Sequence, residues 1–447
     1  MGARKVMQVT LETIEGLERK MRVNVPADQL QSMVNEKLKE AAQRANLKGF
    51  RPGKVPMREV KRRFEAGIRQ EVSADLVQQS FREAIQQESV APAGPPKIED
   101  LVVLSGQDLQ YTALFEVFPE VIPGDFSEVS IEKPVAEVSD EDINMMIEKL
   151  REQRVDFKEV DREAQERDRV NIDFEGFVEN EPFEGNKAEG SDIVIGSGSM
   201  IPGFEDGIVG CLPGVEKDLE VTFPDDYHVE TLAGKPAVFK LVVNGVYEPI
   251  KPDLDLDFFK QFGLEDNDLD TFKAKVRENM DKELVQAVKQ RVTNQVMDGL
   301  IRVNNIDVPE VLIEREIERL RQETIQRYGG SNKIDPSVLP AEMFQAQAIR
   351  RVTLGLIVKA IVEKDAIEVD DERVKKKIEE MASSYEDPRQ VIEFYSKDEQ
   401  QQNQIRSVVL EEQVVELLLT RAVVKEKAMG YEEVLKSLQP ETVPAPE

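Results

Sequence analysis

Leu47–Phe64 reads LKGFRPGKVPMREVKRRF. Eight basic residues lie between positions 44 and 63 against the single acid Glu59, in a chain of 447 residues with a formal net charge of −29. That contrast divides the sequence. Residues 1–70 hold 16 Lys/Arg and 8 Asp/Glu, so this end carries +8 and the remainder −37. Screening confines each field to about 10 Å at ~0.1 M salt, so a basic face can dock on a polyanion while the acidic body repels it. Within the stretch, Arg51-Pro52-Gly53-Lys54 has Pro second and Gly third. This order favours a type II turn, since Pro fixes φ and Gly supplies φ > 0. Arg51 and Lys54 are then held close together with Phe50 beside them. The residues alone leave two readings open: a solvated turn with Phe50 tucked into a core, or a surface for RNA phosphates, whose counterions Arg and Lys release.

The flanks supply the domain around this loop. Residues 6–14 and 17–25 alternate apolar and polar about Glu15-Gly16 and read as a hairpin. Leu30, Val34, Leu38, Ala41 and Ala45 recur at helical spacing from Pro26 to Gly49. Met57–Phe64 and Val72–Ile85 read as two further helices, and KIEDLVVL (97–104) and LQYTALFEVF (109–118) as strands. The result is an α+β domain over 1–118. Prolines 119, 123 and 134 mark 119–159 as a linker.

Composition bounds the rest. With 40% hydrophobic and 33% charged residues, the chain is long enough for several cores and too long for one. No apolar run reaches about 18 residues, and VVELLLTRAVV (414–424) is broken by Glu416 and Arg421, which argues against a membrane span. The start has no apolar stretch of a secretory signal, and residues 1–6 read as an extension, so a cytoplasmic protein is expected. One cysteine, Cys211, and one histidine, His228, leave no internal disulfide, no catalytic triad and no histidine-rich metal site. No cofactor and no metal are expected.

Residues 160–248 read as strands: RVNIDFEGFV, SDIVIG, KDLEVTF and AVFKLVVNGVYE, separated by Gly/Pro turns. Phe174, Phe183, Ile201, Phe204, Tyr227 and Phe239 exceed what the alternation needs, and fit either an ordinary core or a concave apolar site. GSGSMIPG (196–203) contains G-x-G but lacks the Lys-Ser/Thr ending of a phosphate loop. DLDLD (253–257) starts like a calcium loop, but Phe258 stands where Gly is needed and Leu264 where the bidentate Glu is needed. Beyond 250 the pattern is helical. Phe272, Val276, Met280, Leu284, Val288, Val292, Val296 and Leu300 form one stripe, and helices are expected over 309–328, 340–364, 371–383 and 399–429.

GFRPGKVP (49–56) resembles the ribosome-docking signature of the bacterial trigger factor family, chaperones of the nascent-chain exit tunnel. The resemblance implies that Phe50 and Arg51, within the segment Gly49, Phe50, Arg51, Pro52, Gly53 and Lys54, contact the large ribosomal subunit. Pro52 occupies the position of the family's lysine, which leaves that role either lost or taken by Lys54. IGSGSMIPGFEDGI (195–208) is similar to the signature of FK506-binding-type prolyl isomerases. By that likeness Phe204 floors a proline pocket, Ile201 lies on its wall, and Phe174, Phe183, Tyr227 and Phe239 fall on wall positions.

The implied fold class is multidomain α+β. An α+β N-terminal ribosome-binding domain spans 1–118, a linker 119–159, and an FKBP-like β-rich isomerase domain 160–248. An all-α C-terminal substrate-binding domain with arm-like helices spans 249–432, and a disordered acidic tail 433–447. The implied partners are the large ribosomal subunit, protein and rRNA at the tunnel exit, and nascent and unfolded polypeptides. No membrane partner is implied, and a homodimer off the ribosome is compatible with the resemblance. The chemistry is prolyl isomerisation without ATP. Rotation about X–Pro faces about 18–20 kcal/mol because the amide is conjugated, and an apolar site favours the less conjugated twisted form without any acid or base. Tyr227 is a candidate donor to a substrate carbonyl, and His228 a neighbour with no required part. A free isomerase whose basic N-terminal loop binds another RNA is the rival reading. A third is an assembly protein with an inert isomerase-like fold.

Overall fold

This computed structural model describes residues 7–44, 50, 55–104, 106–179, 181–227, 229, 231–265, 268–328, 335, 338–383, 385 and 387–438, with the backbone alone at 184. The hairpin forms as expected: β1 (Gln8–Thr13) runs antiparallel to β2 (Glu18–Val25), with Val9 opposite Val23. Period-two alternation buries Met21, Val23 and Val25 on one face. On that face lies α1 (Ala27–Arg44), through Leu30, Val34 and Leu38, and Asp108 Oδ1 accepts the Ala27 N–H at its start, at 2.9 Å. Next comes α2 (Met57–Gln87), a single 31-residue helix where the sequence suggested two. Between the two apolar stripes, Glu65–Glu71 is mostly polar and looks like a break. A helix packed at both ends crosses it readily, since each added residue adds a bond and Gly67 costs only ~1 kcal/mol against Ala. Strands β3 (Lys97–Val102) and β4 (Leu109–Glu116) complete a four-stranded sheet of order β1-β2-β4-β3.

The segment 119–159 is not a bare linker. It carries β5 (Ser130–Val135), α3 (Asp140–Glu152) and most of β6 (Asp156–Val160). Ser139 and Asp142 form a capping box on α3, and Ile143 and Ile147 are buried. Then follow β7 (Arg169–Val178), β8 (Glu181–Val194), α4 (Phe204–Ile208), β9 (Glu216–Thr222) and β10 (Pro236–Ile250). These make a five-stranded sheet of order β6-β10-β7-β8, with β9 on β10. In DLDLD, Asp255 accepts the Phe258 N–H at 3.0 Å and starts α5 (Leu256–Lys260), so the motif is a helix cap.

The helical part is α6 (Leu269–Val303), α7 (Glu310–Tyr328), α8 (Glu342–Asp365), α9 (Asp371–Ala382), α10 (Pro388–Lys397) and α11 (Glu399–Arg421). The expected α6 stripe packs inward: every member is buried except half-buried Val288. The helix expected over 399–429 stops at Arg421, and β11 (Val423–Ala428) pairs with β5, its two leading valines suiting a strand. Between the helices expected over 371–383 and 399–429, Asp387-Pro388 starts α10, with Asp387 accepting the Arg389 and Gln390 N–H groups and Pro in the first turn. Residues 433–436 of the expected tail belong to α12 (Tyr431–Lys436), where Val434 is fully buried; 439–447 lie outside the described residues.

The chain packs as two units interleaved in sequence, residues 1–133 with 291–426, and 134–290 with 427–447. In the first, the N-terminal segment meets the helices across a close seam. Glu116 accepts the N–H groups of Glu310 and Val311, both at 3.0 Å, and so caps α7 from β4. Gly124 donates to Asn304 Oδ1 at 2.8 Å, and a Cβ on Gly124 would meet the Val303 carbonyl at 2.5 Å. In the second unit, Phe258, Phe259 and Phe272 pack with Ile143, Ile147, Tyr431 and Val434 into one core, beside a separate core under the five-stranded sheet.

Candidate functional site

The six apolar residues singled out between 174 and 239 come together. Phe174 and Phe239 face each other from β7 and β10 with ring centroids 6.0 Å apart, and Phe204, first residue of α4, stands edge-on to both, at 5.7 and 5.2 Å. Phe183 on β8 reaches Phe239 at 6.2 Å. Burial grades them: Phe204 is fully buried and Phe239 5% exposed, while Phe174, Phe183, Ile201 and Tyr227 are half-buried. We call the first two the floor and the other four, which reach the surface, the rim. Space for the floor comes from Gly176, opposite Phe239, where a Cβ would lie 2.5 Å from that ring and 3.0 Å from Phe183. Such edge-to-face rings hold one another in place.

The loop before α4 sets the wall. Gly203, at φ +84°, turns the chain into the helix. Glu205, 7% exposed, gathers residues 196–200 around one carboxylate: it accepts the N–H groups of Gly196 (2.8 Å), Gly198 (3.1 Å) and Met200 (3.1 Å), and the Ser197 and Ser199 hydroxyls. Burial pushes this carboxyl up, but the backbone donors of Gly198, Met200 and Gly196 and the Ser197 hydroxyl outweigh it and hold the group below its ordinary value. Met200 and Ile201 are thereby fixed at the rim.

Sequence reasoning named neither Glu205 nor Phe223. Phe223 is 3% exposed and touches Phe183, Tyr227 and Phe239. Its signal was available: Leu219, Val221 and Phe223 continue the inward alternation one step past β9. The cup presents rings and aliphatic groups, which can desolvate a prolyl amide and supply no proton transfer. His228 lies outside the described residues.

The basic surface is described in part. Phe50 is 39% exposed and not in the core, which removes the reading that tucked it inside. In the first turns of α2, Arg58, Lys61, Arg62 and Arg63 are exposed together with Met57 and Phe64, and Arg62 pairs with Glu59 at 2.6 Å. Gly49, Arg51, Pro52, Gly53 and Lys54 lie outside the described residues. Among the described residues no helix is long and apolar enough to cross a membrane, and no cluster of His, Cys, Asp or Glu is placed to hold a metal ion.

The family model described as "Bacterial trigger factor protein (TF)" matches residues 7–150, and that of its C-terminus matches 268–420. Between them, "FKBP-type peptidyl-prolyl cis-trans isomerase" matches 160–244, the segment that holds the aromatic cup. The trigger factor of Pseudomonas syringae pv. syringae (strain B728a) is 49% identical over 97% of this chain and 99% of its own. That of Alcanivorax borkumensis (strain ATCC 700651 / DSM 11573 / NCIMB 13689 / SK2) is 48% identical over 96% and 98%. A solved structure, "Promiscuous Substrate Recognition in Folding and Assembly Activities of the Trigger Factor Chaperone", covers 92% of this chain and 99% of its own at 20% identity, with a TM-score of 0.48. The chain belongs to the trigger factor family, and is a chaperone that carries an FKBP-type peptidyl-prolyl isomerase domain.

Proposed function

We propose that this chaperone docks on the large ribosomal subunit near the tunnel exit through the loop 49–54 and the start of α2. There it holds emerging chains on its helical part and isomerises their X–Pro bonds in the aromatic cup. Cytoplasmic residence, partly ribosome-bound, follows from that reading. The observation that carries it is that Arg58, Lys61, Arg62 and Arg63 in the first turns of α2 are exposed, as are Met57 and Phe64 there and Phe50 before them in sequence. Cations among apolar groups suit a surface of rRNA and protein together, with the cations neutralising phosphate and the apolar groups packing on the protein. For client chains the support is apolar side chains that the helices leave in solvent: Met343 on α8 is 69% exposed, Phe394 on α10 56% and Val408 on α11 43%. Such points spaced along one scaffold raise avidity for a long unfolded chain, which a single proline site cannot do. The cup is the isomerase site, with Phe204 and Phe239 as floor and Phe174, Phe183, Ile201 and Tyr227 as rim.

The test is co-sedimentation with purified large subunits. Changing Phe50, Arg51 and Lys54 together to Ala should abolish pelleting at physiological salt, with native circular dichroism and unaltered isomerisation of a short prolyl peptide. Continued pelleting would move the anchor elsewhere. Equal binding of the unaltered chain to an unrelated structured RNA would favour a general RNA-binding role.

A further inference from the structure

The structure assigns to Phe223 the positioning of two rim rings, Tyr227 and Phe183, against the floor of the cup. The inference rests on reading the cup as the isomerase site. At 3% exposure Phe223 cannot itself cover a bound peptide, so any effect on the reaction must pass through the rings it touches. Those contacts lead to both sides of the mouth. Tyr227 lies 4.8 Å away, Phe183 stands edge-on at 5.7 Å, and Phe239 of the floor is at 6.4 Å.

The backbone gives Phe223 a fixed place from which to act. Its N–H donates to the Lys235 carbonyl at 3.0 Å, just beyond the β9–β10 ladder. The next residue, Pro224, accepts the N–H groups of Tyr227 at 3.1 Å and Gly234 at 3.3 Å, closing the turn that carries Tyr227. One ring therefore keys a turn from the 224–227 side to a strand from the β8 side. A site works only when its groups are held near the productive geometry, and contact with a buried ring restricts the rotamer of a half-buried one. Tyr227 and Phe183 are the half-buried members that Phe223 touches.

The experiment measures isomerisation of a short prolyl peptide by the full chain, altered Phe223→Leu. Leucine keeps the position apolar but gives up the ring edges. The expected loss in kcat/KM is roughly three- to tenfold, the size of one or two aromatic contacts, and it should lie mainly in KM because Phe204, the fully buried ring of the floor, keeps its contacts with Phe174 and Phe239. The decisive comparison adds Tyr227→Ala. In the unaltered chain that change should weaken catalysis, whereas in the Phe223→Leu background it should add less than twofold, since the ring is already misplaced. Phe223→Met, which fills the same space with a flexible side chain, repeats the cycle if the leucine variant loses its native near-ultraviolet dichroism.

If kcat/KM stays within twofold in the folded variant, or Tyr227→Ala keeps its full cost there, Phe223 is packing and the inference is overturned. A parallel Phe204→Leu variant separates the two levels. If that one also leaves isomerisation unchanged, it is the placement of the isomerase site that has failed.

Discussion

The isomerase fold and the unit that holds the N-terminal segment write their contacts into the chain in different ways. Every residue of the cup comes from the single stretch Phe174–Phe239, although β10 crosses back past β8 and β9 to pair with β7. The other unit joins 1–133 to 291–426, so that Glu116 finds its partners at 310 and 311. A site made within one stretch leaves a compact signature there. The seam of the other unit, assembled from distant segments, leaves only charge and periodicity, whose partners must be seen in space, although the basic stretch 47–64 in that unit is itself contiguous.

The comparison breaks most sharply if a change in the cup damages holding. Phe204→Leu should lower isomerisation of a short peptide by at least tenfold, while suppression of aggregation of a diluted, denatured enzyme stays within twofold. Equal losses in both assays would merge the two sites. A smaller effect is expected at the loop clasp. Glu205→Gln removes charged acceptors worth about 1.5–3 kcal/mol each, so amide exchange at Gly196, Gly198 and Met200 should quicken by tenfold or more. The sign with pH follows from the lowered carboxyl. Its folded value lies below the ordinary 4.5, so its contribution is complete above 4.5 and fades as pH falls through the folded value. In the unaltered chain the loop should therefore loosen below pH 4.5, and the Gln variant should lack that dependence.

Across the seam, Glu116→Ala removes a cap of about 1 kcal/mol, so exchange at Glu310 and Val311 should rise about fivefold with the cup unaffected. Slower peptide isomerisation in that variant would show the two units to be coupled. The smallest change is expected from Phe394→Ser on α10, which should reduce aggregation suppression by about twofold, since one contact among many is lost. A tenfold loss there would instead mark a single dominant client site.

Much of the fold was legible wherever one rule acted alone. Alternation placed β2, β7 and β10, and spacing by fours placed α6 with its buried face. Reading failed where local signals conflicted with packing. The polar middle of α2 hides a continuous helix, and no helix is expected over 384–398, where the Asp387 cap starts one. Val423 and Val424 followed an unbroken helical pattern, and only their pairing with β5 makes them strand. Within the cup, the named residues were those with family signatures. Glu205 looked like one more acid in an acidic chain, and Phe223 like the end of a strand. What distinguishes them is burial and partners, which composition does not carry.

The seam also sets an order of events for a chain that leaves its own ribosome N-terminus first. Gly124 and Glu116 must wait for Asn304, Glu310 and Val311, and β5 must wait for β11 at 423–428. Closing so long a loop costs little more in free energy than closing a short one, because the entropy grows only with the logarithm of length. What it costs is time. The five-stranded sheet, whose strands are complete by Ile250, can close first, and the N-terminal segment stays without its helical partner until residues 304–311 have followed. During its own synthesis, this chaperone is itself a chain whose contacts are incomplete.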